Sequence, residues 1–248
     1  MDSKKLFSDR VDNYVKFRPS YPMELISFLL ENGINTDSTV CDIGSGTGIL
    51  SELLLEQNIN VIGVEPNDEM RNYSERLLSK YSEFRSIAAS AEDTGLSDNS
   101  VDIITAAQAF HWFDRQKCRK EFIRILKKEG IVFLIWNRRD NSTTLLKSYE
   151  EVQKKFGTDY QKVNHQNIDD KEIKKFLKSY NKKQFYNSQK LDWEGFLGRA
   201  MSASYTPSQD DYRFNDFKES LKSIYDKNEK EGFVIIKYIT EVFYGKLL

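Results

Sequence analysis

Three glycines at alternate positions, Gly44, Gly46 and Gly48, follow the short apolar stretch 40–43. This pattern predicts the end of a buried strand, a tight turn and the start of a helix. Because glycine has no β-carbon and readily adopts positive φ, a ligand can approach the backbone of such a turn closely. The N–H groups at the start of the helix favour a negatively charged or electron-rich group. Asp42, at the end of the strand, adds a carboxylate beside the turn.

Two better-known glycine-rich patterns do not fit this turn. A dinucleotide-binding turn has the spacing G-x-G-x-x-G, but here the third glycine comes one residue early and Ile49 stands in its place. A Walker loop ends in G-K-[ST], and no lysine lies within reach after Ile49. Taken alone, the turn is compatible with a generic nucleotide-binding site, and that alternative stays open at this point.

Apolar stretches alternate with amphipathic stretches along the first half of the chain. The predicted strands cover residues 39–42, 60–65, 84–89, 101–107 and 131–136. The helix before the fifth strand has an apolar stripe that includes Leu126, and we predict that it ends at Gly130. Five strands that alternate with helices predict an α/β fold with a doubly wound parallel sheet.

The alternation stops after Asn137, where a helix up to Gly157 and a polar region rich in lysine and asparagine follow. Two further strands are predicted at 184–191 and 233–244. No internal repeat or low-complexity linker is evident, so we predict a single domain over residues 1–248. Its parts are a core at about 36–140, a helical insertion at about 141–182, and C-terminal strands and helices at 183–248.

The composition limits the partners and the location that we expect. Lys and Arg total 37 and Asp and Glu total 38 among 248 residues, and the net charge of −1 disfavours bulk nucleic acid or an anionic membrane as the main partner. Two cysteines, a charged start without an apolar segment behind it, and short apolar runs favour a soluble, cytoplasmic protein. The two histidines are far apart and no C-x-x-C occurs, so we expect no metal site.

Polar residues stand at the predicted carboxyl ends of all five strands. These ends are Asp42, Glu65, residues 89–93, residues 107–108 and Asn137. Ligands bind outside the carboxyl ends of the strands in open parallel sheets, so these positions together predict a binding site at one edge of the sheet.

Several motifs together resemble one enzyme family. The spacing D-x-G-x-G-x-G from Asp42 to Gly48, acidic Glu65 after the next strand, and the loop 90–93 resemble the class I S-adenosylmethionine-dependent methyltransferases. The A-x-H-W stretch 109–112 and the Y-x-x-x-R-P-x-Y-P stretch 14–22 are similar to small-molecule members, which include trans-aconitate methyltransferase-like and UbiE-like enzymes. The resemblance covers roughly residues 10–137. It implies a Rossmann-like, mostly parallel seven-stranded sheet with an antiparallel C-terminal strand.

The resemblance also implies a cofactor and a set of site residues. The cofactor is S-adenosyl-L-methionine, the product is S-adenosyl-L-homocysteine, and no metal takes part. The residues implied to bind the cofactor are Asp42, Gly44, Ser45, Gly46, Gly48, Glu65, Pro66, Met70, Ala91, Glu92 and Gln108. The residues that we expect around the acceptor are Tyr14, Arg18, His111, Trp112, Arg199 and Tyr205. His111 would act as a base if the acceptor is a hydroxyl or a carbon acid, whereas a carboxylate needs none.

The acceptor is expected to be a small molecule, methylated at a carboxylate or a hydroxyl. A small acidic acceptor held by Arg18 or Arg199 is our hypothesis, because guanidinium groups match carboxylates. Two alternatives stay open: a methyltransferase for RNA or protein, and a cofactor-binding regulatory protein that does not catalyse. The chain has no N/D-P-P-Y/F/W motif and no cysteine after a proline, which disfavours methylation of nucleic-acid bases. A monomer or a homodimer is expected.

Overall fold

The computed structural model describes residues 15–158, 160 and 170–247. The strands are β1 (Thr39–Ile43), β2 (Asn60–Val64), β3 (Phe84–Ile87), β4 (Val101–Ala107), β5 (Leu126–Arg139), β6 (Asn181–Leu191) and β7 (Val234–Gly245). The helices are α1 (Met23–Glu31), α2 (Ile49–Leu55), α3 (Asp68–Leu78), α4 (Arg115–Ile125), α5 (Thr144–Phe156), α6 (Asp170–Phe176), α7 (Trp193–Met201) and α8 (Phe214–Asn228). A short 3₁₀ turn, Phe110–Trp112, follows β4.

The seven strands form one sheet in the order β3-β2-β1-β4-β5-β7-β6. The neighbours from β3 to β5 are parallel, whereas β7 runs antiparallel to both β5 and β6. This arrangement confirms the predicted doubly wound, mostly parallel seven-stranded sheet with its antiparallel C-terminal strand. The strand order reverses between β1 and β4, which is where open α/β sheets bind ligands.

Side chains along β5 alternate between the two faces of the sheet, as the period of two in a strand requires. Phe133 and Ile135 pack in the cluster formed with α1, α2 and α3, and Leu134 and Trp136 pack in the cluster formed with α4 and α6. A third cluster joins α5, α7 and α8 to β7 and includes Tyr149. It covers the antiparallel end of the sheet, beside the carboxyl end of β5.

The predicted end of the fourth helix at Gly130 is wrong. The helix ends at Ile125, and Leu126 already belongs to β5, where it pairs with Val101. The N–H groups of Asn99 and Ser100 donate to the carbonyl oxygens of Arg124 and Ile125, at 2.9 and 2.8 Å. These bonds from a distant loop occupy the last helical carbonyls and stop the helix one turn early, which no local pattern in the sequence indicates.

The stretch that we predicted as an insertion contains helices in its described residues. Helices α5 and α6 fall within residues 141–182, and β6 begins at Asn181, three residues before the predicted strand. Among the residues that the structure describes, no helix is both long and apolar enough to cross a membrane. The division into core, insertion and C-terminal part stays a prediction.

Candidate functional site

A cavity opens at the carboxyl ends of β1, β2 and β4. It is lined by Gly44, Gly46, Glu65, Pro66, Asn67, Met70, Ser90, Ala91, Glu92, Ala107, Gln108, Ala109, Trp112 and Phe113. A smaller recess shares some of these residues, and its lining is Tyr21, Asp42, Gly44, Ser45, Gly46, Thr47, Ile49, Leu50 and Ala107. The cavity and the recess therefore meet at the glycine turn, as expected for a ligand that extends along it.

Two glycines of the turn have different reasons to lack a side chain. A β-carbon on Gly44 would lie 2.4 Å from the β-carbon of Ala109, so packing excludes any larger residue there. Among the described residues, a β-carbon on Gly46, whose φ is +58°, would meet only the sulfur of Met70, at 3.8 Å. Gly46 also lines the cavity, so a side chain at this position would occupy part of the space available to a ligand.

The Glu65 carboxylate is held firmly at the wall of the cavity. The N–H of Gly46 donates to its Oε2 at 2.9 Å, and the N–H of Asn67 donates to its Oε1 at 2.8 Å. The side chain is 6% exposed, and burial raises its pKa although both backbone donors lower it. Each oxygen keeps acceptor capacity beyond these bonds, so the carboxylate can accept further hydrogen bonds from a ligand.

Asp42 lies under the recess. The hydroxyls of Ser51 and Thr105 donate to its two oxygens, at 2.7 and 2.8 Å, and burial raises its pKa to about 6. The Thr47 hydroxyl also lines the recess and is buried, and it has no hydrogen-bond partner within the described part of the chain. Buried hydroxyls are normally paired, so Thr47 provides an unused polar atom where a ligand could bind.

The loop that carries Ser90, Ala91 and Glu92 is anchored from behind. The Thr94 N–H and hydroxyl both donate to Glu121 Oε1, at 2.8 and 2.6 Å. Arg124 pairs with the same carboxylate at 2.7 Å, and this contact, together with the Thr94 bonds, lowers the pKa of Glu121 to about 2. Glu121 on α4 thus holds the loop that forms part of the cavity lining, although Glu121 is not itself a lining residue.

His111 and Trp112 occupy the 3₁₀ turn after β4, and their rings lie 5.0 Å apart. Trp112 lines the cavity, whereas His111 stands behind it. Burial lowers the pKa of His111 to about 3, and the cations Arg18 and Arg115 contribute. The imidazole is therefore neutral at pH 7, but a group with so low a pKa is a weak base.

The lowered pKa of His111 predicts a pH-dependent stability. In an unfolded chain a histidine titrates near 6.5, so below that pH the unfolded state binds a proton that the folded state does not. The free energy of unfolding of the wild type relative to His111→Gln should therefore fall by about 1–3 kcal/mol between pH 7 and about pH 4.5. Urea unfolding of both proteins at the two pH values measures this change. An unchanged difference would mean that the histidine titrates normally.

The structure brings together most of the predicted cofactor residues. Gly44, Gly46, Glu65, Pro66, Met70, Ala91, Glu92 and Gln108 line the cavity, and Asp42 and Ser45 line the recess. Gly48 lines neither and caps the N-terminus of α2. Sequence reasoning missed Asn67, which accepts from the N–H of Met70 as the N-cap of α3. An asparagine before two acidic residues is a helix-start signal that could have found it.

The predicted acceptor residues do not come together at the cavity. Arg18 and Arg199 meet at Ser202, whose carbonyl accepts from Arg18 at 2.9 Å and whose hydroxyl accepts from Arg199 at 3.2 Å. Tyr205 packs edge-on against Tyr160, with ring centroids 4.9 Å apart. Only Trp112 of the predicted acceptor residues lines the cavity itself. Tyr14 lies outside the described residues.

Comparisons with known proteins agree with this geometry. Residues 41–134 match a family described as methyltransferase domain. An uncharacterized methyltransferase of Mycobacterium tuberculosis is 34% identical over 151 residues, which cover 61% of this chain and 60% of the relative. The ubiquinone/menaquinone biosynthesis C-methyltransferase UbiE of Campylobacter jejuni is 31% identical over 110 residues, which cover 41% of this chain and 46% of the relative. The chain thus spans about three fifths or less of the length of these relatives.

A solved structure extends the likeness over nearly the whole chain. A protein of Anaeromyxobacter dehalogenans, provisionally assigned as a type II methyltransferase, superposes with a TM-score of 0.65 at 20% identity. The superposition covers 94% of this chain and 99% of that one. At this identity the match concerns the fold, and it includes the antiparallel end of the sheet, which the family match does not reach.

Proposed function

We propose that this chain, whose residues 41–134 match a methyltransferase domain, is a class I S-adenosylmethionine-dependent methyltransferase and transfers the methyl group of this cofactor to a small molecule. The methylated group is a carboxylate or a hydroxyl. The observation that carries the proposal is the cavity at the glycine turn, where the open face of Gly46 and the fixed carboxylate of Glu65 stand side by side.

The residues present fit this cofactor. Glu65 would accept hydrogen bonds from the ribose hydroxyls, and Pro66 and Met70 offer apolar surface on the same wall. The recess beside Gly44 and Gly46 contains the unused hydroxyl of Thr47 and the carboxylate of Asp42, which suit the polar amino-acid end. No group of three or more potential metal ligands occurs in the described residues, and the proposed reaction needs none.

When bound, S-adenosylmethionine supplies a methyl group that its sulfonium already activates. The tasks left to this chain are to align the acceptor and to exclude water, and alignment alone can lower a barrier by about 7–11 kcal/mol. Trp112 and Phe113 contribute apolar surface to the lining of the cavity. The weak basicity of His111 favours a carboxylate acceptor, which is ionised at pH 7 and needs no base.

Several finer features belong to the same proposal. We place the enzyme in the cytoplasm as a monomer or a homodimer, and we treat the chain as one domain with a core at about 36–140, a helical insertion at about 141–182, and C-terminal strands and helices at 183–248. The two alternatives predict different experimental results. A nucleic-acid substrate would give binding with a steep salt dependence, whereas a regulatory protein would bind the cofactor without turnover.

Calorimetry with S-adenosylmethionine and S-adenosylhomocysteine tests the first half of the proposal. Incubation with methyl-labelled S-adenosylmethionine and a cell extract, separated afterwards into small molecules, RNA and protein, tests the second half. Label in the small-molecule fraction supports the proposal. Label in RNA or protein supports the first alternative, and binding without transfer supports the second. Binding of NAD or ATP without S-adenosylmethionine would contradict the cofactor assignment.

A further inference from the structure

Two arginines are buried near the carboxyl end of β5, outside the cavity described above. Arg139 is the last residue of β5, and Arg199 lies on α7; they are 8% and 4% exposed. They lie within a group that we call the arginine cluster, which comprises Arg139, Arg199, Tyr149, Glu150, Tyr160, Tyr205 and Tyr238. Burial of a charged guanidinium group costs free energy unless the group is paired with a negative charge. The partners of the two arginines therefore show how much of their positive charge is balanced.

The partners leave the cluster with an excess of positive charge. Arg139 pairs with Glu150 at 2.7 Å. Arg199 donates to the hydroxyl of Tyr238 at 3.0 Å and to that of Ser202 at 3.2 Å, and both of these partners are neutral. Among residues 15–158, 160 and 170–247, Glu150 is the one carboxylate that pairs with either arginine. Within the described ranges, two buried cations therefore share one carboxylate.

The two arginines lie close to the same two tyrosines, Tyr149 and Tyr238. The guanidinium carbon of Arg139 lies 5.2 Å from the centre of the Tyr149 ring, and Arg139 pairs across the sheet with Tyr238, the partner of Arg199. Burial and the nearby charge of Arg139 both lower the pKa of Arg199, although Tyr238 and Tyr149 raise it overall. The positive charges are therefore close enough to repel each other across Tyr149.

Polar atoms in this region also lack partners. The Nε of Arg139 is buried without a hydrogen-bond partner among the described residues. The same is true of both amide atoms of Gln153, which is 0% exposed and follows Glu150 by three residues on α5. Residues at this spacing share one face of a helix, so the amide of Gln153 and the carboxylate of Glu150 lie on the same side. The guanidinium Nε–H and the Gln153 amide N–H groups can both donate to an anion.

A continuous set of contacts links the cluster to the cavity. Ser202 joins Arg199 to Arg18, and the Arg18 cation is close enough to His111 to lower its pKa. His111 in turn packs against Trp112, which lines the cavity. The cluster is therefore connected to the cavity through Trp112, one of the residues that line it.

We propose that the arginine cluster binds a carboxylate of the acceptor and anchors it while another part of the acceptor reaches the cavity beside Trp112. This inference rests on the proposed methyl transfer and narrows its substrate to acids. A carboxylate would supply the second negative charge, and the planar guanidinium groups match its two oxygens. Tyr149, Tyr160 and Tyr205 would surround it and restrict its size.

A binding measurement tests the anchor without knowledge of the acceptor. The protein loaded with S-adenosylhomocysteine is unfolded by heat in sodium acetate or in acetamide, with sodium chloride added to keep the ionic strength constant. Acetate, but not its neutral isostere, should raise the melting temperature of the wild type. The rise should be lost in Arg139→Gln and Arg199→Gln. It should persist in Arg138→Gln, a matched control whose arginine lies one residue away and pairs with Glu241 at 2.5 Å.

A turnover measurement tests whether the two arginines contribute to binding of an acidic acceptor during methyl transfer. Small mono-, di- and tricarboxylic acids are each offered beside the corresponding amide with methyl-labelled S-adenosylmethionine. For any acid that is methylated, Arg139→Gln and Arg199→Gln should raise KM about ten- to hundredfold and leave the affinity for S-adenosylhomocysteine within about twofold of the wild type. Arg138→Gln should leave both values unchanged.

The outcomes separate this inference from the proposed function. The absence of an acetate effect, an equal effect of acetamide, or retention of the effect in both arginine variants overturns the anchor. Turnover of neutral acceptors alone also overturns it, while methyl transfer as such stands. Failure of the wild type to bind S-adenosylhomocysteine overturns the proposed function itself.

Discussion

Gly46→Val should abolish detectable binding of S-adenosylmethionine while the protein remains folded. Gly46 lines the cavity, and in the part of the chain that the structure describes the nearest atom to a β-carbon built there is the Met70 sulfur, at 3.8 Å. The three carbon atoms of a valine would therefore project into the space that the cofactor needs beside Glu65. We expect a loss of more than about 3 kcal/mol in binding free energy, or more than about 100-fold in Kd, measured by calorimetry.

The positive φ of Gly46 calls for a control that separates backbone strain from loss of space. Gly232 precedes β7 and has a φ of +79°, and no atom of the described residues lies within 4 Å of a β-carbon built there. Valine in this left-handed conformation costs about 1–3 kcal/mol of stability at either position. Gly232→Val should show that loss with normal cofactor affinity. Normal affinity in Gly46→Val as well would show that the cofactor does not approach this glycine.

Local patterns account for the parts of the molecule that sequence analysis predicted. The strand before Gly44 and the strand before Glu65 are short apolar runs bounded by polar residues, and their parallel pairing follows from the helices between them. Topology then places the ends of parallel strands at one edge. For this reason the sequence alone predicts that Asp42, Glu65 and Gln108 lie at one edge of the sheet, and in the structure they line the cavity and the recess there.

Contacts between distant segments account for what sequence analysis missed. Helix α4 ends at Ile125 because Asn99 and Ser100 donate to its last carbonyls, and no residue near position 125 indicates this. Arg139 and Arg199 are 60 positions apart, and each resembles a surface arginine in the sequence. Only the packing of α5 and α7 over the end of β5 shows that both are buried beside Tyr149.

Glu65→Ala should weaken binding of S-adenosylmethionine by about 1.5–3 kcal/mol, or roughly ten- to hundredfold in Kd. The variant removes the carboxylate that would accept hydrogen bonds from the ribose hydroxyls. Calorimetry with S-adenosylhomocysteine should give a similar loss, because both molecules carry the same ribose. An unchanged Kd in the variant would remove Glu65 from the site.

The same carboxylate also supports the glycine turn, so stability has to be measured separately from affinity. Glu65→Ala leaves the N–H groups of Gly46 and Asn67 without the acceptors that they now have at 2.9 and 2.8 Å, and an unsatisfied buried donor costs about 1–3 kcal/mol. Asp102→Ala is the matched control, because Asp102 accepts from the N–H of Thr39 at 3.0 Å and pairs with Lys127 at 2.9 Å at the opposite edge of the sheet. If Asp102→Ala lowers the free energy of unfolding but keeps the Kd, and Glu65→Ala lowers both stability and affinity, the loss of affinity comes from the missing ribose acceptor. A Kd that rises equally in both variants would instead mean that loosening the sheet is enough to weaken binding, and the direct role of Glu65 would be contradicted.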